Sequence, residues 1–311
     1  METALEVFQY QFVHNSVYHD FCKNLGREKD TVRSVEEIPF LPVEFFRNHI
    51  IVTGNSPIQT VFESSGTTGV VPGKHFVADL GLYEDSFTKS FNLFYGNPEE
   101  YLILALLPSY TEREGSSLVY MVNKLIEKSK HQKSGFYKEN TEGLIRTVTE
   151  AKEENRRILL LGVSFALLDL AENKSPDFSG VVIMETGGMK GRRKELTRQE
   201  LHKILKEKFN INSVHSEYGM TELLSQAYSS GEGIFYCPPW MKIVIRDPQD
   251  PLTVYNKSGR TGGINIIDLA NINSCAFIST NDLGKLHEDG GFEVLGRFDN
   301  SDIRGCNLLA E

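Results

Sequence analysis

Three unbroken apolar runs, 101–107, 158–161 and 181–184, alternate with stretches whose apolar residues recur every three or four positions. A run that is apolar at every position has no polar face to offer water. It predicts a strand buried on both sides, as in a parallel sheet covered by helices. The helical stretches agree with this. Leu80, Tyr83, Phe87, Phe91 and Phe94 share one face, as do Leu118, Met121, Val122 and Leu125. A further helix is predicted over about 198–209, opened by the capping box Thr197-Arg-Gln-Glu200 and burying Leu201, Ile204 and Leu205. The pattern predicts an α/β fold with a largely parallel sheet.

Before this region, the first 55 or so residues read as helical and then irregular, with Pro39 and Pro42 breaking the pattern around Phe45 and Phe46. After residue 230 the helical period stops. Short strands are predicted at 241–246, 263–268, 274–279 and 291–295, separated by Gly, Pro, Asn and Asp clusters, which implies a small β-subdomain. The expected division is an α/β core over 1–230, a β-rich part over 231–296, and a hinge and mobile arm over 297–311.

A chain of 311 residues can build a large core, and 40% hydrophobic with 24% charged residues is ordinary for a soluble protein. The formal net charge of −9 argues against a nucleic-acid partner, which needs a basic face. No stretch reads as a signal peptide or an integral membrane segment. Cys22, Cys237, Cys275 and Cys306 have neither metal-ligand spacing nor close pairing, so a reduced, cytoplasmic protein is expected.

Residues 62–74 form a glycine- and hydroxyl-rich segment that follows an apolar, strand-like stretch and ends in a lysine. Gly66 and Gly69 free the backbone to turn its N–H groups inward. Ser64, Ser65, Thr67 and Thr68 add hydroxyls, and Lys74 supplies a mobile positive charge. Such a concavity suits phosphate oxygens. The spacing is not that of a Walker A loop, and a plain flexible surface loop is the alternative.

Three more segments carry chemistry. Glu217 to Glu222 reads Glu-Tyr-Gly-Met-Thr-Glu, expected between a strand and a short helical stretch. In it Thr221 can donate to a phosphate, Glu222 can hold Mg²⁺ and Tyr218 can stack on a base. Asp282, in Ser-Thr-Asn-Asp-Leu-Gly, is expected at a turn, where it can accept from two ribose hydroxyls. Arg297 follows fifteen residues later, near a strand end. The structural alternatives are a turn former, a surface charge and, for Glu222, an acid complementing a helix dipole. His215 suits hydrogen bonding more than catalysis, and Trp240 is expected in the core of the β-subdomain.

The order of these segments, Ser-Ser-Gly-Thr-Thr-Gly with Lys74, Tyr-Gly-Met-Thr-Glu, Thr-Asn-Asp-Leu-Gly and Gly-Arg-Phe-Asp, resembles the acyl-adenylate-forming superfamily from about residue 60 onward. Gly-Gly-Met-Lys-Gly-Arg-Arg at 187–193, Pro-Pro-Trp-Met at 238–241, Asp-Leu-Ala-Asn at 268–271 and Arg-Gly-Cys-Asn-Leu at 304–308 are most similar to the phenylacetate-CoA ligase branch. Closer still is the likeness to the acyl-protein synthetase subunits of bacterial luminescence fatty-acid reductases.

The resemblance implies the large N-terminal domain of these enzymes with ATP and Mg²⁺ as cosubstrate and cofactor. Ser64, Ser65, Gly66, Thr67, Thr68, Gly69 and Lys74 would hold the β- and γ-phosphates. Gly187, Gly188 and Tyr218 would line the adenine site, Thr221 would meet the α-phosphate and Glu222 the metal. Asp282 and Arg297 would hold the ribose. The implied substrate is a carboxylic acid, a fatty acid by the closer likeness, and the implied partner an acyl-accepting reductase or carrier protein.

Two departures stand out. The superfamily places a C-terminal subdomain with a catalytic lysine after Gly-Arg-Phe-Asp, whereas here no lysine lies beyond Lys285. That subdomain is therefore expected to be absent, with Lys74, Lys190, Arg192 and Arg193 as substitutes for the lysine. The second departure is Cys306, where the ligases carry valine. Beside Arg304 it is a candidate nucleophile for a protein thioester; an unreactive loop residue is the alternative. An acyl- or aryl-CoA ligase core completed by another chain, and a degenerate nucleotide-binding module, remain the rival functions.

Overall fold

The computed structural model describes residues 2–64, 71–108, 115–187, 196–255 and 258–298. Two sheets organise the chain. The first has six strands in the order Gly135–Phe136, Tyr101–Leu106, Arg157–Val163, Val182–Thr186, His215–Tyr218 and Ala227–Ser229. All neighbours are parallel except the last pair.

Tyr101–Leu106 shows why its sequence is apolar throughout. Tyr101, Ile103 and Ala105 pack beneath the helices Leu80–Tyr95 and Ser117–Ser129. Leu102, Leu104 and Leu106 pack on the other face, under Thr141–Glu153, Ser164–Asn173 and Arg198–Phe209. Alternate side chains of a strand point to opposite faces, so a strand between two helical layers must be apolar at each position. The capping box of Arg198–Phe209 forms as expected.

The second sheet orders its strands Ile234–Phe235, Phe292–Arg297, Phe277–Leu286, Thr261–Asp268, Met241–Arg246 and Val254–Tyr255, each antiparallel to its neighbour. Leu41–Pro42 adds in parallel beside Phe277–Leu286. Residues from the helices Glu2–His14 and Ser16–Asn24 share the core of this second sheet: Phe8, Phe12 and Tyr18 bury against Phe277 and Ile278. Gln11 fastens the attachment. Its fully buried amide donates to the carbonyls of Asn271, Ile272 and Ser274 and accepts from the Ala276 N–H.

Three details differ from the sequence reading. Asp282 lies inside the ten-residue strand Phe277–Leu286 rather than at a turn. Asn and Asp are poor strand formers, but here tertiary bonds override propensity: Asn281 is held by Glu44, and Asp282 by Tyr218 and Arg297. Residues 219–226 form turns and no helix. The carboxylate of Asp268 takes the N–H groups of Leu224 and Ser225 and turns the chain back into Ala227–Ser229. Trp240 packs against the core of the first sheet, its indole N–H donating to Ser86 Oγ at 3.0 Å. Among the described residues no helix is long and apolar enough to cross a membrane.

Close approach between strands requires glycine at one position in particular. A β-carbon at Gly262 would sit 2.1 Å from the carbonyl oxygen of Arg246 and 2.7 Å from Ile245 Cγ2. Backbone cannot yield as a side-chain tip can, so Gly262→Ala is expected to destabilise the protein by about 2–3 kcal/mol. A lowered midpoint in urea unfolding at unchanged m-value would register it.

Candidate functional site

The strand pair Thr60–Glu63 and Lys74–Val77 is an antiparallel hairpin, and the glycine-rich segment is its connection. Its base is closed by two bonds: Ser64 N–H donates to the Gly73 carbonyl at 2.9 Å, and Gly73 N–H donates to Ser64 Oγ at 2.8 Å. Ser65, Gly66, Thr67, Thr68 and Gly69 lie outside the described residues, as do Gly188, Lys190, Arg192, Arg193 and Cys306. Lys74 is exposed and paired with Glu63 at 3.3 Å. An ion pair in solvent holds its lysine weakly, so the ammonium can be redirected toward an incoming anion at little cost.

The turn carrying Thr221 and Glu222 meets this base. A β-carbon at Gly73 would lie 2.5 Å from Glu222 Oε1 and 3.5 Å from Ser64 Oγ, so the carboxylate rests directly on the hairpin loop's closing residues. Burial raises the pKa of Glu222, while the charges of Arg47 and Arg297 pull it back. Thr221 is half-buried. Its carbonyl is bonded by His75 Nδ1 at 2.9 Å, and the Glu222 carbonyl accepts from Asn271 Nδ2 at 2.7 Å.

Tyr218, Asp282 and Arg297 form the next group. The Tyr218 hydroxyl donates to Asp282 Oδ2 at 2.8 Å, and Arg297 Nε lies 3.4 Å from Asp282 Oδ1. Asp282 and Arg297 face each other across the ladder, which fixes the pairing. Tyr218 is buried, with edge contacts to Phe235 and Phe292. Burial first, and the Asp282 charge second, push its phenol far above the ordinary range, so it acts only as a neutral donor. Behind the aspartate, Arg246 donates to the carbonyls of Ile264 and Thr280 and stacks against Phe298. Gly187 ends Val182–Thr186 with φ +68°, its carbonyl accepting from Ser164 Oγ.

The structure thus brings Ser64 and Glu222 together at the hairpin base, beside Lys74 and Thr221, and Tyr218, Asp282 and Arg297 in a second group, with the charge of Arg297 acting on Glu222. It also adds groups that sequence reading missed. Arg47 and Glu44 come from the N-terminal segment, and their charges act on Glu222. His75 and Asn271 hold its turn. Only the position of His75 beside Lys74 and of Asn271 in Asp-Leu-Ala-Asn offered a signal.

Other buried groups read as structural. Glu217, next to Tyr218, points to the opposite face of its strand. Burial, with a smaller contribution from Glu185, raises it to about 7, against a bond from Thr186. His215 bonds the Tyr95 hydroxyl. Burial pushes Cys22 and Cys237 up to about 12 and Cys275 higher, so none of the three is a ready thiolate.

No protein-family model and no curated protein matches the sequence. Solved structures do. The luciferase-like enzyme of the nonluminescent mealworm Zophobas morio aligns at TM-score 0.54 and 16% identity over 80% of this chain and 59% of its own. A long-chain-fatty-acid-CoA ligase of Archaeoglobus fulgidus aligns at 0.54 and 16%, over 77% and 51%. The O-succinylbenzoate coenzyme A synthetase of Bacillus subtilis, in complex with AMP, aligns at 0.52 and 20%, over 79% and 50%. The fold is that of the N-terminal domain of adenylate-forming enzymes. The chain spans between half and three-fifths of the length of these three structures.

His75 makes the site's pH behaviour testable. Burial lowers its pKa from 6.5 to about 4, against the bond to Thr221 and the neighbouring Asn271 side chain, both of which favour the charged form. The unfolded chain takes up this proton as pH falls through 6.5, while the folded protein does so only near 4. Stability is therefore full above 6.5 and falls by about 3 kcal/mol as pH drops toward 4. Replacing His75 by Asn should remove about one proton from the slope of unfolding free energy against pH in that window, measured by urea titrations.

Proposed function

We propose that this chain is an acyl-protein synthetase, which activates a carboxylic acid with Mg-ATP and carries the acyl group as a thioester on Cys306. The observation that carries the proposal is the packing of Glu222 on the hairpin base together with the Tyr218–Asp282–Arg297 group, whose arginine charge acts on Glu222. It joins the four sequence segments that the resemblance assigns to phosphates, metal and ribose.

A carboxylate is a poor electrophile because its leaving group would be oxide. In the proposed first step a carboxylate oxygen attacks the α-phosphorus of ATP, the bond to the bridging β-oxygen breaks, and pyrophosphate leaves. The chain's work is to align two anions and neutralise the charge that builds on the phosphates. Lys74 and the loop hydroxyls would take the β- and γ-phosphates, and Thr221 the α-phosphate. Asp282 would accept from the ribose hydroxyls, with its geometry held by Tyr218 and Arg297. Gly187, Gly188 and one face of Tyr218 would border the base.

The donor set fits Mg²⁺. Glu222 is a carboxylate whose pKa burial raises, and a cation there would favour its ionised form. One carboxylate plus substrate phosphates is the usual binding mode of this ion. When bound, it would supply further charge neutralisation on the transferring phosphate. Among the described residues, exposed Arg47 joins Lys74 as a cation available to the reacting phosphates.

In the second step the Cys306 thiolate attacks the acyl carbonyl, the bond to the AMP oxygen breaks, and AMP leaves. The thioester would then pass to a reductase or carrier-protein thiol. A fatty acid as the substrate and a cytoplasmic location belong to the same proposal. The latter rests on the unpaired Cys22, Cys237 and Cys275.

Intact-protein mass spectrometry after incubation with Mg-ATP and a panel of fatty and aromatic acids tests both steps. The expected result is a hydroxylamine-labile acyl adduct on the wild type and none on Cys306→Ala. Pyrophosphate release without an adduct, with acyl transfer to added coenzyme A, would favour the coenzyme A ligase reading instead. Neither adduct nor pyrophosphate would leave only a nucleotide-binding module.

A further inference from the structure

We propose that His75 and Asn271 are a pair of positioning residues that clamp the Thr221–Glu222 turn through two successive carbonyls and so set its carboxylate against Gly73. The inference rests on the ligase reading above. Its basis is an unusual use of buried polar groups. Both side chains are fully buried, and they come from different sheet systems: His75 from the Lys74–Val77 hairpin strand, Asn271 from the turn that follows Thr261–Asp268.

A carbonyl oxygen can only accept, so His75 must carry its proton on Nδ1 to bond Thr221. Nε2 then presents a lone pair, and it has no hydrogen-bond partner; neither has Asn271 Oδ1. The two amide and imidazole groups lie close enough for Asn271 to favour the protonated ring, yet burial keeps it neutral. Each stranded acceptor costs on the order of 1–3 kcal/mol. Apolar side chains of similar size would fill the same space without stranding those two atoms. What they could not do is donate to two successive carbonyls and thereby fix both peptide planes.

The geometry makes the consequence specific. The turn has one short backbone bond of its own, Leu223 N–H to the Met220 carbonyl at 3.1 Å. The planes of Thr221 and Glu222 are therefore set chiefly by the two side-chain donors. Releasing either would let the Glu222 carboxylate leave Gly73, against which it is packed. Because the ring is neutral above about pH 4, the clamp holds without titrating in the neutral range.

The test compares His75→Asn with His75→Leu and Asn271→Leu. The amide nitrogen of asparagine falls where Nδ1 of histidine lies, so His75→Asn keeps the donor, while both leucine variants lack one. Pyrophosphate release is measured with Mg-ATP and the acid, among octanoate, tetradecanoate and phenylacetate, that the wild type uses fastest. The expected result is a fall in kcat of about 30–100-fold for each leucine variant with KM for ATP within about threefold, and recovery to within about fivefold in His75→Asn. Amide exchange at Leu223 to Ser225 should rise in the leucine variants and not in His75→Asn. An active wild type with all three variants equally impaired, or none impaired, overturns the clamp. A wild type that releases no pyrophosphate overturns the ligase reading, and the clamp's catalytic role with it.

Discussion

The carboxylate of Asp268 is where the two sheets become one protein. It ends a strand of the second sheet, is fully buried, and accepts from Leu224 N–H, Ser225 N–H and Ser225 Oγ–H in the segment that joins the last two strands of the first sheet. It also caps its own following turn through Ala270 N–H. Burial raises its pKa while these bonds oppose that rise. A buried carboxylate is tolerable only when its lone pairs are filled, and here filling them forces residues 221–225 against the second sheet. Ser225 extends the junction through Ser86 to the Trp240 indole. Arg198 adds a second tie, from buried Glu185 on the first sheet to the Val294 carbonyl on the second.

The candidate site inherits its geometry from that junction. Glu222 lies two residues before the first amide that Asp268 binds, and Asn271 lies three residues after Asp268. The same short turn therefore joins the sheets and carries Glu222 to the hairpin loop. The Tyr218–Asp282–Arg297 group is set independently, by the cross-strand pairing of Asp282 with Arg297 and by the buried Arg246 behind it. Two anchors held by buried bonds beside the base of the hairpin are a suitable arrangement for positioning a polyanion.

Much of this could be read from the chain. The strands Tyr101–Leu106, Arg157–Val163 and Val182–Thr186 announced themselves because double-sided burial leaves no polar position. The helices were visible because single-sided burial leaves a stripe. Asp282 was found as a chemical group but misplaced as a turn former, since its strand geometry depends on partners far away in sequence. The helical stretch expected after Tyr218 failed for the same reason: Asp268, more than forty residues on, captures the amides a helix would have used. Glu44 and Arg47 carry no local signature, and His75 and Asn271 only their places beside Lys74 and within Asp-Leu-Ala-Asn. Their roles arise when the N-terminal segment, the hairpin and the second sheet meet, and neither periodicity nor motif encodes that meeting.

The central claim is that the hairpin loop, the Thr221–Glu222 turn and the Asp282–Arg297 pair serve one nucleotide. A crystal structure of the full chain with ATP and Mg²⁺ tests it directly. The account predicts ribose hydroxyls on Asp282, the α-phosphate at Thr221, the metal on Glu222 and the terminal phosphates under Lys74. A nucleotide bound elsewhere, or one whose ribose and phosphates avoid these groups, would contradict it.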